Sequence, residues 1–115
     1  MALTDESIER LLSDVKTYLN ITWEDENKDK QLKLFIKSSA KRLESIYGYS
    51  LSFDVDNPKD EDYADAEQIA YDALLARVFY MNEKALDDFE DNYTGELLAL
   101  RNHGKVRRYS ESGNA

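Results

Sequence analysis

The chain has 115 residues, 42% of them hydrophobic, with no cysteine and a net charge of −9. This fits one globular domain, excludes a disordered chain, and excludes disulfides and thiolate metal sites, which suits an intracellular origin. The acidic total disfavours non-specific binding to DNA.

The opening "MALTDESIERLL" is acidic early and has no continuous apolar stretch, so no signal peptide is expected. No apolar run approaches the roughly 20 residues of a membrane span. Ile8, Leu11, Leu12, Val15 and Leu19 recur at three- and four-residue steps and predict a helix over about 5–19. Thr4 or Asp5 can cap it, and Asp5 and Glu6 suit its positive end.

The joint "YLNITWED" (18–25) follows and holds the chain's only tryptophan. Thr22 is placed to cap a second helix, with Asp25 assisting. Trp23 is expected to close the end of the bundle, the alternative being exposure toward a neighbouring subunit. Leu32, Phe35, Ile36, Ser39, Leu43, Ile46 and Tyr47 form one stripe of this second helix. Lys30, Lys33, Lys37 and Lys41 lie on the other side, and Leu34 falls among them. Gly48 is placed to end the helix in a left-handed conformation.

"YSLSF" (49–53) alternates apolar and polar residues, which permits a short extended segment. "DVDNPKDED" (54–62) reads as a loop around Asn57-Pro58. It has a passing likeness to a calcium loop, but Lys59 stands at the sixth position, where that motif needs glycine. The third helix is predicted over about 61–82. Ala66, Ile69, Ala70, Ala73, Leu74 and Arg77 project to one side, and Tyr71, Leu75 and Phe79 nearly to the other. Such a helix is buried on several sides, and part of that burial is expected to come from another copy or another protein.

A short acidic stretch and a weak fourth helix around 96–101 come next, with Thr94-Gly95 marking a break before it. "KVRRYSESGNA" lacks periodicity and reads as a flexible tail. The expected fold is all-α: a small bundle of three long helices plus a short C-terminal helix. A short extended segment lies near 49–53. Residues 1–101 form the helical domain and 102–115 the flexible basic tail.

Chemistry-bearing motifs are scarce. His103 is the only histidine, so no histidine dyad or histidine metal pair can form. There is no Gly-rich phosphate loop and no nucleophile elbow, and the many acids fall in no arrangement that suggests a catalytic pair. No enzymatic activity, cofactor or metal is expected. The charges, however, fall into blocks. Residues 28–42 carry Lys28, Lys30, Lys33, Lys37, Lys41 and Arg42 against Asp29 alone. Residues 54–72 carry eight acids against Lys59 alone, and residues 101–109 carry four cations and no acid. Opposite patches at different places on one surface favour head-to-tail contact between copies, which closes into a ring when the rotation permits. The candidate subunit interface is Lys30, Lys33, Leu34, Lys37 and Lys41 with Asp62, Asp65, Tyr71, Leu75 and Phe79. A solvated lysine face is the plain alternative.

Residues 15–48, "VKTYLNITWEDENKDKQLKLFIKSSAKRLESIYG", resemble the opening of the tailed-phage head–tail connector (adaptor, head-completion) proteins. The resemblance lies in the order of Tyr18-Leu19, Ile21, the acids Glu24-Asp25-Glu26, a helix from Leu32 to Ile46, and Tyr47-Gly48. "QIAYDALLARVFYMNEKA" (68–85) has the character of the family's alanine-rich third helix. Ser38-Ser39 and the wealth of lysine in the second helix depart from that pattern.

The resemblance implies a non-enzymatic part of the virion. It would be a ring below the portal, typically twelvefold, that extends the DNA channel and seats the stopper or tail. Its partners would be other copies, the portal and the stopper, with DNA only as cargo and no membrane. It would be made in the host bacterial cytoplasm. By the same analogy Arg101, Lys105, Arg107, Arg108 and Tyr109 would form a tail reaching the portal. The alternative reading is an acidic phage-encoded inhibitor or DNA mimic, which the acidic block favours and the lysines of the second helix oppose.

Overall fold

The computed structural model describes residues 3–58 and 61–112. It is all-helical: α1 (Asp5–Tyr18), α2 (Glu26–Tyr47), a 3₁₀ turn (Glu61–Tyr63), α3 (Ala64–Asn82), α4 (Leu86–Asn92) and α5 (Thr94–Glu111). No strand occurs among the described residues. Among the described residues no helix is long and apolar enough to cross a membrane.

The long helices α2 and α3 run antiparallel at the centre. Lys28 at the start of α2 reaches Asn82 at the end of α3, and Ser39 in mid-α2 meets Arg77. Helix α1 lies on one flank, tied to α2 by Lys16–Asp29 at 2.7 Å and to α3 by Tyr71 Oη donating to Asp14 at 2.9 Å. Helices α4 and α5 take the other flank, and α1 and α5 do not pack on each other. The result is a slab of 51 × 30 × 20 Å. Leu11, Val15, Leu32, Ile36, Leu43, Leu74, Val78, Phe89 and Leu100 fill its interior.

Helix α1 forms as the periodicity predicts, with Thr4 accepting the Ser7 N–H. Gly48 ends α2 at φ +92°, a left-handed cap that glycine adopts without strain. The start of α2 is different. Its cap is Asp25, which accepts from the N–H groups of Asn27 and Lys28, and Thr22 plays no part. Asn20 at φ +60° turns the chain, so that the joint runs longer before the helix begins. Trp23 is therefore left 57% exposed and does not close the bundle.

Residues 49–53 form no strand. Leu51 and Phe53 insert into the core with the expected alternation, but side chains serve their backbone. The buried carboxylate of Glu67 accepts the N–H groups of Ser52 and Phe53, and Glu44 accepts that of Leu51. Arg10 donates to the carbonyls of Ser52 and Phe53. Phe53 sits at φ +55°, an uncommon conformation for a residue with a β-carbon, held here by this clamp and by burial.

The largest departure from expectation is at the C-terminus. The acidic stretch 86–92 is a helix, pinned by buried Phe89, which stacks on Tyr93 at 5.0 Å. The expected short fourth helix and the tail as far as Glu111 are one helix of 18 residues, which crosses 101–102 without a break; 113–115 lie outside the described residues. Gly104 explains it. A β-carbon there would stand 1.9 Å from the Tyr47 carbonyl oxygen, so the bare backbone lets α5 close on the end of α2. Leu97, Leu100 and Gly104 form the buried stripe.

Replacing Gly104 with alanine should push α5 off α2. The expected loss is about 1–3 kcal/mol in urea unfolding, the range of an overpacked core. An unchanged midpoint would show that α5 does not rest on Tyr47.

Candidate interaction faces

Each central helix turns one side to its partner and the other outward. On α2 the outward side carries Lys30, Leu34, Lys37 and Lys41, all exposed, with Leu34 at 64%. Lys33 stands apart from that set. It pairs with Glu9 of α1, and this hydrogen bond holds its ammonium above the usual lysine value.

On α3 the outward side carries Asp65, Gln68, Asp72 and Phe79, with Leu75 half-buried. Asp62 lies exposed in the preceding 3₁₀ turn. Tyr71 is turned toward α1, where burial and then its bond to Asp14 push its hydroxyl up to about 12. It serves the internal packing, so the proposed set loses Tyr71 and most of Lys33 as contact residues. The rest of the set falls on two faces that point away from each other.

Phe79 belongs to a chain of rings. Tyr18 meets it edge-on at 6.3 Å, Tyr80 follows at 5.6 Å, and Tyr80 reaches Tyr93 at 6.3 Å. Tyr18 and Phe79 are 48% and 40% exposed. Burial first, then the neighbouring Tyr18, Tyr80, Glu96 and Asp72, raise the Tyr93 hydroxyl above its ordinary value. Tyr93, like Tyr49 and Tyr109, lies outside the strong helical stripes in the sequence, a position where tyrosine often serves interfaces, whereas Tyr18 has no such signal.

The five basic-tail candidates sit on α5. Arg101, Lys105, Arg108 and Tyr109 are exposed on the ordered helix. Arg107 is turned inward. Its guanidinium lies 4.0 Å from the centre of the Tyr49 ring, 4.1 Å from Tyr63 and 5.7 Å from Tyr47. It donates to the Tyr47 hydroxyl at 3.2 Å and to Glu111 at 3.1 Å. Desolvation works against its charge, yet the bonds to Tyr47 and Glu111 outweigh it and raise the guanidinium value. Arg107 therefore anchors α5 and is not a free tail cation.

A second guanidinium is buried at the α2–α3 contact. Arg77 is 8% exposed, and its Nη1 donates to the hydroxyls of Ser38 and Ser39. Its Nε has no acceptor among the described residues, and desolvation lowers its value. This accounts for Ser38-Ser39, which answer the arginine across the helix pair.

An open groove of about 530 Å³ lies between α2 and the α3–α4 turn, lined by Phe35, Met81, Lys84, Leu86, Asp87 and Asp88. Among the described residues no three acidic or histidine side chains gather where they could hold a metal ion. No family model, curated protein or solved structure matches the chain.

Two outcomes are expected. Arg77→Met should leave stability unchanged or raise it in urea unfolding, because burying the charge with no carboxylate in hydrogen-bond contact costs more than its hydroxyl bonds and the attraction of Glu90 return. Substantial destabilisation would contradict that balance.

The bond from Arg107 depresses the Glu111 carboxyl, so the stabilisation is full above the ordinary glutamate value and is lost as pH falls through the folded one. Protection against amide exchange in the last turns of α5, taken relative to the intrinsic rate at each pH, should therefore fall below about pH 4. Glu111→Gln should show the lower protection already at neutral pH.

Proposed function

We propose that the chain is a structural virion component, a head–tail connector (adaptor). It assembles as a ring below the portal, extends the DNA channel and seats the stopper or tail. The order of features over residues 15–48 motivates this reading. The observation that carries it furthest is physical: the basic and acidic charges lie on opposite outward faces of one α2–α3 pair. A subunit of that kind offers one face to the copy ahead and the other to the copy behind. Such a contact cannot satisfy itself in a two-fold dimer, and it closes as a ring or runs on as a filament.

In this reading α5 is the portal-facing element. Arg101, Lys105, Arg108 and Tyr109 present cations from a rigid helix, which suits an acidic rim better than a disordered tail would, because less entropy is lost on docking. The ring copy number is twelve by the family resemblance. DNA passes through as cargo, and the local charge is not arranged to hold it.

Co-expression with the portal protein encoded in the same genome should yield rings in electron micrographs, with added density on the portal. Native mass spectrometry should report copies in multiples set by the portal. A chain that stays monomeric with portal present, over a range of ionic strengths, would sink the connector reading.

A further inference from the structure

We propose that the contact between neighbouring copies is a specific knob and seat. Leu34 of one copy, in line with Lys30, Lys37 and Lys41, docks on the Tyr18–Phe79–Tyr93 ridge of the next, flanked by Asp72 and Glu96. This rests on the ring reading above and names its partner surface, which lies on the C-terminal half of α3 and away from Asp62 and Asp65.

Leu34 is the one large exposed apolar side chain on α2, standing clear of the core on a helix face that is otherwise lysine and serine. A solvated face has no use for it. The steps 30, 34, 37 and 41 keep all four side chains on one stripe. The leucine thus lies in a row of cations, with Lys30 before it and Lys37 and Lys41 after it, an apolar point with charge on both sides.

The other face has the same plan with the opposite sign. Tyr18 and Phe79 are in contact and half-open, and Tyr93 continues the ridge through Tyr80. Asp72 lies along α3 from Phe79, and Asp72 and Glu96 both act on Tyr93. The neighbouring cations are turned elsewhere: Lys16 pairs with Asp29, Arg77 is buried against Ser39, and Lys84 lines the groove beside α2. Aromatic rings with two open edges give a leucine methyl group a surface to cover, and the carboxylates meet the lysines around it. The knob is on the α2 side of the slab and the seat on the α3 side, so one molecule cannot join its own halves.

The absence of cysteine allows a direct test. The full chain carrying both Leu34→Cys and Phe79→Cys, treated with a short bis-maleimide reagent in the presence of portal, should give a ladder of covalent multimers. A mixture of the two single variants should stop at the dimer, and each single variant alone should give none. Lys37→Glu should slow the ladder by about tenfold or more. Adding Asp72→Lys to it should restore most of the rate, which a merely structural role of either residue would not do.

If portal-bound rings form but the double variant gives no ladder, the knob-and-seat contact is overturned and the connector reading stands. If wild-type chain forms no rings with portal, both fall. Homodimers of either single variant would also overturn the head-to-tail contact, since they need two like faces to meet.

Discussion

Helix α5 can lie where it does because Gly104 has no side chain. The backbone of α5 comes up against the Tyr47 carbonyl at the end of α2, and one methyl group would prevent it. Much of the upper part of the slab follows from that contact. It brings Arg107 between Tyr47, Tyr49 and Tyr63, and it lets Glu111 reach the same guanidinium. Gly48 sits beside it, where a β-carbon would press on Arg108. A stretch that looks like a loose basic end is thereby an ordered element with three of its cations displayed outward.

Polar groups inside this small protein are spent on backbone and helix pairing. Glu67 takes up the N–H groups of Ser52 and Phe53, which have no strand to pair with. Buried N–H groups left without an acceptor would cost about 1–3 kcal/mol each. The carboxylate thus replaces a strand, and that is why an alternating segment needs no sheet here. Arg77 is the contrary case, a buried cation with only neutral partners and a sulfur atom. It sits in the middle of the α2–α3 contact, where its bonds to Ser38 and Ser39 join the two helices.

The functional reading draws on what is left outside. Two long helices that bury one side each must expose the other, and a slab 20 Å across brings those two sides to opposite surfaces. Charge on α2 and α3 is therefore sorted between front and back by the fold itself. Among the apolar residues left exposed, Leu34 stands on the α2 surface and the Tyr18–Phe79 pair on the α3 surface, while Trp23, Leu98, Val106 and Tyr109 lie at the α1–α2 joint and on α5.

Much of this was legible in the residue pattern. The helical periods of residues 5–19 and 32–47, the cap at Thr4 and the stop at Gly48 are local, decided by side-chain spacing and backbone freedom within a few residues. The basic stripe of α2 was readable for the same reason, since a helix converts spacing directly into a face. The sequence also set out the charge blocks and the lack of any motif for catalysis. What it did not disclose depends on contacts far along the chain. Residues 102–115 read as a flexible tail until Gly104 is seen to leave room for Tyr47, and Arg107 reads as a tail cation until three tyrosines surround it. Lys33 belongs to the lysine stripe by spacing, yet Glu9 of another helix claims it. Asp25, not Thr22, starts α2 because the turn at Asn20 fixes where the chain can enter the bundle. Local periodicity determines which elements form. Only packing decides which of their exposed residues remain free to meet another molecule, because a neighbouring helix and a partner compete for the same side chains.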